Sequence, residues 1–335
     1  MTLVDALING LPDCETLAQP PSDHKVRCLV MPGQDDAPLR AFSERVEVIQ
    51  GDLRSPEDCA RFCQDAEGAI LFHTAGIIHP KRVSDFYQVN VRGTNNVLEA
   101  AVKAKVRRAV VISSNSPCGC NPHLDHLFDE ESNYYPYMNY GRSKMLMELA
   151  VLKRAAESDM KAVILRPPWF YGPHQPPRQS LFFRMIRDGK MPVVGSGQNL
   201  RSMAYTDNIA QGMLLAAINE AAAGGIFWIA DERPYSMNEI IDTVERLLEN
   251  EFDQKCAHRR VKLPAVVSEI ALLVDATLQR LGLYHQKIHV LSEMNKTIAC
   301  SITKAKRVLN YDPKVGLEEG MRRSLKWTIE RHGTI

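Results

Sequence analysis

Arg108-Ala109-Val110-Val111-Ile112-Ser113-Ser114 is the run that decides the fold. Four apolar residues in a row, rich in β-branched side chains, read as a strand buried on both faces. The run ends in hydroxyls. Downstream, Tyr140 to Glu157 carries a helical pattern, and Lys161-Ala162-Val163-Ile164-Leu165-Arg166 is a second apolar run. Strand, helix, strand in that order implies parallel strands joined by a right-handed crossover. The same alternation extends upstream through Val26–Val30, Val46–Gln50, a helix opened by Ser55-Pro56-Glu57-Asp58, Ala69–His73 and a long helix from Phe86 to Lys105. The expected fold class is α/β, a doubly wound parallel sheet. In such sheets ligands lie beyond the carboxyl ends of the strands. His73, Ser114 and Arg166 each close a strand and so converge on one edge.

Composition sets outer limits. The chain has 335 residues, 45% hydrophobic and 24% charged, with a net charge of +1. That is ordinary globular composition and gives no electrostatic footprint for nucleic acid. No apolar run approaches the ~18 residues of a membrane span. The opening Met1-Thr2-Leu3-Val4-Asp5 lacks the basic and apolar regions of a secretory signal. Eight scattered cysteines read as reduced thiols, so a cytoplasmic location is expected. Thr2-Leu3-Val4 reads as a short strand, 173–177 as a Pro-rich loop and Ser180 to Asp188 as a helix. Val266 to Leu283 is amphipathic and apolar; it is expected to pack on the body of the protein, a membrane-surface placement being the other reading.

Tyr140-Gly141-Arg142-Ser143-Lys144 places a phenol and an ammonium one helical turn apart. A nearby cation favours the phenolate, which suits the Tyr to proton transfer. Tyr-x-x-x-Lys is common by chance, and its weight comes from Ser114 on the preceding strand. A Ser and a Tyr–Lys pair are what hydride transfer to or from a carbon bearing oxygen needs.

Several motifs then occur in a recognisable order: Gly51-Asp52-Leu53, Phe72-His73-Thr74-Ala75-Gly76, Asn90-Val91-Arg92-Gly93-Thr94, Ser113-Ser114, Tyr140 with Lys144, Arg166-Pro167 with Tyr171-Gly172-Pro173, Arg201 with Tyr205-Thr206-Asp207, and Leu309-Asn310-Tyr311-Asp312-Pro313. From about His24 onward the chain resembles the extended short-chain dehydrogenase/reductase family, in the branch of NDP-sugar epimerases and 3β-hydroxysteroid dehydrogenase-like enzymes. The resemblance implies a Rossmann-type nucleotide-binding core over 1–165, also receiving about 203–230. A smaller C-terminal α/β substrate-binding part would comprise 166–202 and 231–335. It further implies that Asp52 and Leu53 flank the adenine and that Ala75 and Gly76 lie along the cofactor. Asn90 would sit behind the site, and Pro167 near the nicotinamide. Ser114 would hold the substrate oxygen, Tyr140 transfer the proton, and Lys144 hold the ribose. A homodimer through a helix bundle containing Tyr140 is implied as well. NAD is the expected cofactor: Met31 is neutral where an Arg would favour NADP, and no acid follows Val26–Val30 to bind a ribose diol, so NADP stays open.

The chain departs from the family at its start. A Gly-x-x-Gly-x-x-Gly turn is expected between the first strand and helix, and Asp5 to Pro12 occupies that place with only Gly10 remaining. Three readings follow: a rebuilt turn with weakened cofactor binding, a cofactor-free relative, or residues 1–23 altered by reading frame or start site.

The resemblance also bears on the reaction. Dehydrating and decarboxylating relatives carry carboxylates where Asn115 and Ser116 stand. Oxidation or reduction of a hydroxyl/ketone, or epimerisation through a transient 4-keto sugar, remains. Arg201 matches a diphosphate-binding Arg, whereas Trp169 with Phe170, Phe182, Phe183 and Met185 would make an apolar, sterol-like pocket. Those aromatics have a second reading as core. Ser116, Cys118, Trp169 and Arg201 are the expected substrate contacts, and the apolar small-molecule substrate is preferred. Cys118, Cys120, His123 and His126 fall within nine residues, but their spacing is unlike structural zinc sites and no metal is expected.

Overall fold

The computed structural model describes every residue except Ser22, Gln175 and Pro176, so the expected Pro-rich loop lies partly outside the described residues. In chain order the helices are α1 (Thr2–Asn9), α2 (Ala37–Arg40), α3 (Pro56–Phe62), α4 (Val83–Phe86), α5 (Thr94–Lys103), α6 (Met138–Ala156), α7 (Pro177–Arg187), α8 (Thr206–Ile218), α9 (Met237–Phe252), α10 (Val266–Arg280), α11 (Gln286–Glu293), α12 (Thr303–Leu309) and α13 (Leu317–His332). The strands are β1 (Val26–Val30), β2 (Val46–Gln50), β3 (Ile70–His73), β4 (Arg108–Ile112), β5 (Lys161–Arg166), β6 (Trp169–Tyr171), β7 (Pro192–Val194), β8 (Leu200–Arg201), β9 (Met203–Tyr205), β10 (Ile226–Trp228), β11 (Tyr235–Ser236) and β12 (Val261–Leu263).

The central sheet is parallel, in the order β10-β5-β4-β3. Its inner strands are buried, as their continuous apolar runs require. Helices cover both faces. On one, α8 and α12 enclose a core of Val110, Val163, Leu165, Met213, Leu214 and Trp228. On the other, α3, α5 and α6 enclose Leu71, Ala109, Val111, Met147, Val151 and Ile164. A third core joins α7, α9 and α13 through Phe183, Ile240, Val244, Leu247, Met321 and Leu325. β1 and β2 form a separate parallel pair. Among the described residues no strand lies between β1 and β3, where the doubly wound order has one.

Two expectations fail here. The strand at Thr2–Val4 is the first turn of α1: Leu3, Ala6 and Leu7 share a face against α8, a helical period rather than an alternating one. Gly10, expected in a phosphate turn, instead ends α1 with φ +82°, and an added Cβ would lie 2.5 Å from the Ala18 carbonyl oxygen. It stands at the helix's carboxyl end, whose dipole repels anions. α10 packs on the body, against α11 and the start of α6, but through its polar side. Its body-facing side carries Ser268, Ala271, Asp275 and Gln279, and its aliphatic side faces outward.

Candidate active site

The helix expected from Phe86 to Lys105 is interrupted by a π-helical turn over Tyr87–Gly93. Such turns widen the backbone and re-aim a side chain. The side chain re-aimed is Asn90, which is fully buried. Its Oδ1 accepts from the Ile77 N–H at 2.8 Å, and its Nδ2 donates to the Ile77 carbonyl at 3.1 Å and to Ser143 Oγ at 3.0 Å. Asn90 thereby pins the loop after β3 to α6. Behind it, Thr94 donates to the Asn90 carbonyl at 2.7 Å. Its hydroxyl can then only accept from His73 Nε2, 2.8 Å away, so Nε2 carries the proton. Burial, and secondarily Lys144, depresses the His73 pKa to about 3 and keeps the ring neutral.

Lys144 lies on α6 one turn beyond Tyr140 and is buried. Nζ donates to the Ile112 carbonyl at 3.0 Å and lies 3.6 Å from Met147 Sδ, which leaves one of its three donors. Desolvation lowers its pKa to about 8, against a smaller opposing pull from Glu148. Gly76 sits over it: an added Cβ would come 3.3 Å from Asn90 Oδ1 and 3.4 Å from Lys144 Nζ. Ala75 and Gly76 are exposed at the carboxyl end of β3, so this cradle opens to solvent. Ser114 Oγ lies 3.3 Å from both Ser116 Oγ and the Ser116 N–H at the end of β4. The Tyr140 ring packs 5.7 Å from Phe86. Pro167 is buried just beyond β5.

Below these groups lies a network that sequence reasoning missed. Glu148, on α6 one turn past Lys144, pairs with Arg166 at 2.7 Å, both buried. The carboxylate also accepts from Ser113 Oγ and, at 2.7 Å, from the Tyr134 hydroxyl. The pair ties α6 to the ends of β4 and β5. Its sequence signal was a Glu four residues after the Lys, on the same helical face.

The outer residues divide. Asp52 and Leu53 follow β2; the Asp52 carboxylate is bound by Arg54, which lowers its pKa. Arg201 is buried; it donates through Nη2 to the Glu293 carbonyl, and its Nε has no partner. Trp169 is half-buried, 5.4 Å from the Phe182 ring, while Phe183 is wholly core. Cys118 corrects an expectation: it is 2% exposed inside the first core, where burial pushes its thiol up to about 11, and cannot face a substrate. All eight cysteines are free thiols, and among the described residues no helix is long and apolar enough to cross a membrane.

Tested against NAD, the described residues fit at the ribose end, where the Gly76 cradle and the spare Lys144 donor meet. Gly10, the one glycine left in the expected phosphate turn, stands instead at the carboxyl end of α1. Comparison with known proteins agrees on the cofactor class. The chain is 56% identical over 326 residues to the uncharacterized protein y4nL of Sinorhizobium fredii, covering 97% of this chain and 90% of that one. It is 29% identical over 303 residues to the 3beta-hydroxysteroid-dehydrogenase/decarboxylase isoform 1 of Arabidopsis thaliana, covering 84% of this chain and 67% of that one. The structure of UDP-glucuronic acid 4-epimerase from Bacillus cereus in complex with NAD superposes with a TM-score of 0.74 at 20% identity, over 98% of this chain and 95% of that one, which shows the shared fold. The model of the NAD dependent epimerase/dehydratase family matches residues 14–230, well over half of the chain, and the protein belongs to that family of NAD-dependent enzymes, within the extended short-chain dehydrogenases/reductases.

Proposed function

We propose that the protein oxidises a secondary hydroxyl, or reduces the matching ketone, on an apolar small molecule. The observation that carries this reading is the buried Lys144, one turn from Tyr140 and under the Gly76 cradle, with its carboxylate neighbour Glu148 committed to Arg166. NAD, when bound, would supply the hydride acceptor for oxidation and, as NADH, the donor for reduction. Tyr140 Oη takes the hydroxyl proton in the oxidative direction and gives it back in the reductive one. Ser114 Oγ holds the same oxygen. The Lys144 ammonium lowers the cost of the phenolate and donates its free N–H to a ribose hydroxyl. Asn115 and Ser116 provide no carboxylate, which disfavours elimination. Half-buried Trp169 and Phe182 supply the apolar wall. The division into a core of 1–165 with 203–230 and a substrate part of 166–202 with 231–335 belongs to this reading, as does a dimer through α6, whose Leu149 is 45% exposed.

A second reading, epimerisation of a sugar nucleotide through a transient ketone, is favoured by one observation: the orphaned, buried Nε of Arg201 is a donor waiting for an anion. The two reactions differ in redox balance. Oxidation leaves one NADH per turnover, whereas epimerisation returns the hydride and leaves none. Incubation with NAD and either a 3β-hydroxysteroid or UDP-glucose, followed by NADH absorbance and product chromatography, separates them. Steroid-dependent NADH that Tyr140→Phe abolishes supports the first reading. Sugar interconversion without NADH replaces it with the second, and neither product refutes both.

A further inference from the structure

Helix α10 is built inside out. Its buried stripe is polar. Asp275 is fully buried and accepts from Gln279 Nε2 at 3.0 Å, and it pairs with His289 Nδ1 of α11 at 2.7 Å. Ser268 donates to the Leu291 carbonyl at 2.7 Å. The Gln279 Oε1 accepts from the Asn139 backbone N–H at the start of α6. These bonds fix the rotation of α10 about its own axis, because turning the helix would strand a buried carboxylate. The opposite stripe is aliphatic and open. Val266 is 57% exposed, Ile270 58%, Leu273 70%, Val274 40%, and beyond the helix Leu281 is 71% and Leu283 52% exposed. Positions 266, 270, 273, 274 and 281 fall on one helical face, and Val290 of the neighbouring α11 is exposed as well. A contiguous aliphatic face of this kind marks an interaction site.

The charges around the stripe identify the partner. Arg280 ends α10 on that side, Lys287 lies in the first turn of α11, and Lys81 and Arg82 come near because Arg82 pairs with Leu283 as an antiparallel bridge. All four are exposed, and none belongs to an ion pair among the described residues. Of the nearby carboxylates, Glu269 is paired with Lys296, Asp275 is held within the fold, and Asp85 accepts from the Arg82 backbone N–H. A second copy seated on this face by two-fold symmetry would set these cations against themselves. An anionic lipid surface would receive both the aliphatic side chains and the cations.

We propose that α10, with Leu281, Leu283 and Val290, is a docking face that lays the protein on the surface of an anionic bilayer. α10 is about 22 Å long and lies in the interface plane without spanning it. The face also leads to the site. Tyr284 follows Leu283, bonds His79 Nδ1 at 2.7 Å and packs 5.3 Å from Phe86, the ring beside Tyr140. A lipid-soluble substrate would enter from the membrane side. That last step rests on the apolar-substrate reading; the docking does not.

The test is flotation of the full chain with vesicles of phosphatidylcholine alone and of equal parts phosphatidylcholine and phosphatidylglycerol. The wild type should float with the anionic vesicles, and added salt should weaken the binding. Ile270→Glu with Leu273→Glu, both exposed and so compatible with folding, should reduce the bound fraction at least about tenfold. Arg280→Glu with Lys287→Glu should act in the same direction. Far-ultraviolet dichroism and NAD affinity should stay unchanged in all variants, which separates docking from the catalytic reading. Wild type that remains unbound, or a double-Glu variant that floats as well as wild type, overturns the proposal. So does sedimentation showing a dimer that Ile270→Glu with Leu273→Glu dissociates in the absence of vesicle binding.

Discussion

A lysine ammonium without a carboxylate partner is costly inside a protein, and Lys144 is held there with its pKa lowered to about 8 by desolvation. The unfolded chain would titrate that group near 10.5. Below about 8 both states are charged and the full penalty is present; between about 8 and 10.5 the unfolded state binds more protons, so stability rises with pH. Lys144→Met should therefore raise thermal stability at neutral pH, by an amount on the order of 3 kcal/mol at most. It should lower turnover by about a hundredfold or more. Calorimetric melts at pH values on either side of 8, paired with turnover assays, check both effects. A residue that served packing alone would lose stability on this substitution. His73 behaves oppositely to a surface histidine: held near 3 when folded, it opposes folding as pH falls below its unfolded value of about 6.5. Acid melts of His73→Asn should fall less steeply with pH than those of wild type.

At the scale of elements, α6 and the π-helical turn before α5 build the site together. Asn90→Ala leaves the Ile77 N–H and Ser143 without their partner and should cost about 1–3 kcal/mol. It should also raise the KM for NAD more than it lowers kcat, because the released loop carries the Gly76 cradle; steady-state kinetics check the split. Gly76→Ala should weaken NAD about tenfold with stability unchanged, since its Cβ enters the cradle at 3.3 Å from Asn90. The strand–helix alternation from Val26 onward was legible in sequence because buried parallel strands announce themselves as apolar runs. The π-helical turn was not, since a widened turn leaves no periodic signature. α1 was misread because Thr2-Leu3-Val4 is β-branched at both ends; the helical spacing of Leu3, Ala6 and Leu7 emerges only over a longer window. Cys118 was misjudged, and Phe183 left open between two readings, because an apolar residue near a motif reads the same whether it lines a pocket or a core.

At the scale of the molecule, among the described residues β1 pairs only with β2 and β3 only with β4, so each has an unpaired edge. Hydrogen exchange should show it: amides of Val26–Val30, half-exposed throughout, should exchange much faster than those of Arg108–Ile112. β3, β4, β5 and α6 carry the residues of the proposed chemistry, while Gly10, at the carboxyl end of α1, does not form the expected diphosphate turn. On the proposed reading, the Lys144 cradle helps bring NAD to Tyr140. Calorimetric titration of NAD into wild type and Lys144→Met tests it most directly. Saturable binding by wild type, weakened about tenfold or more in the variant, is the predicted result. No heat at millimolar NAD, or equal affinity in the two proteins, would contradict it.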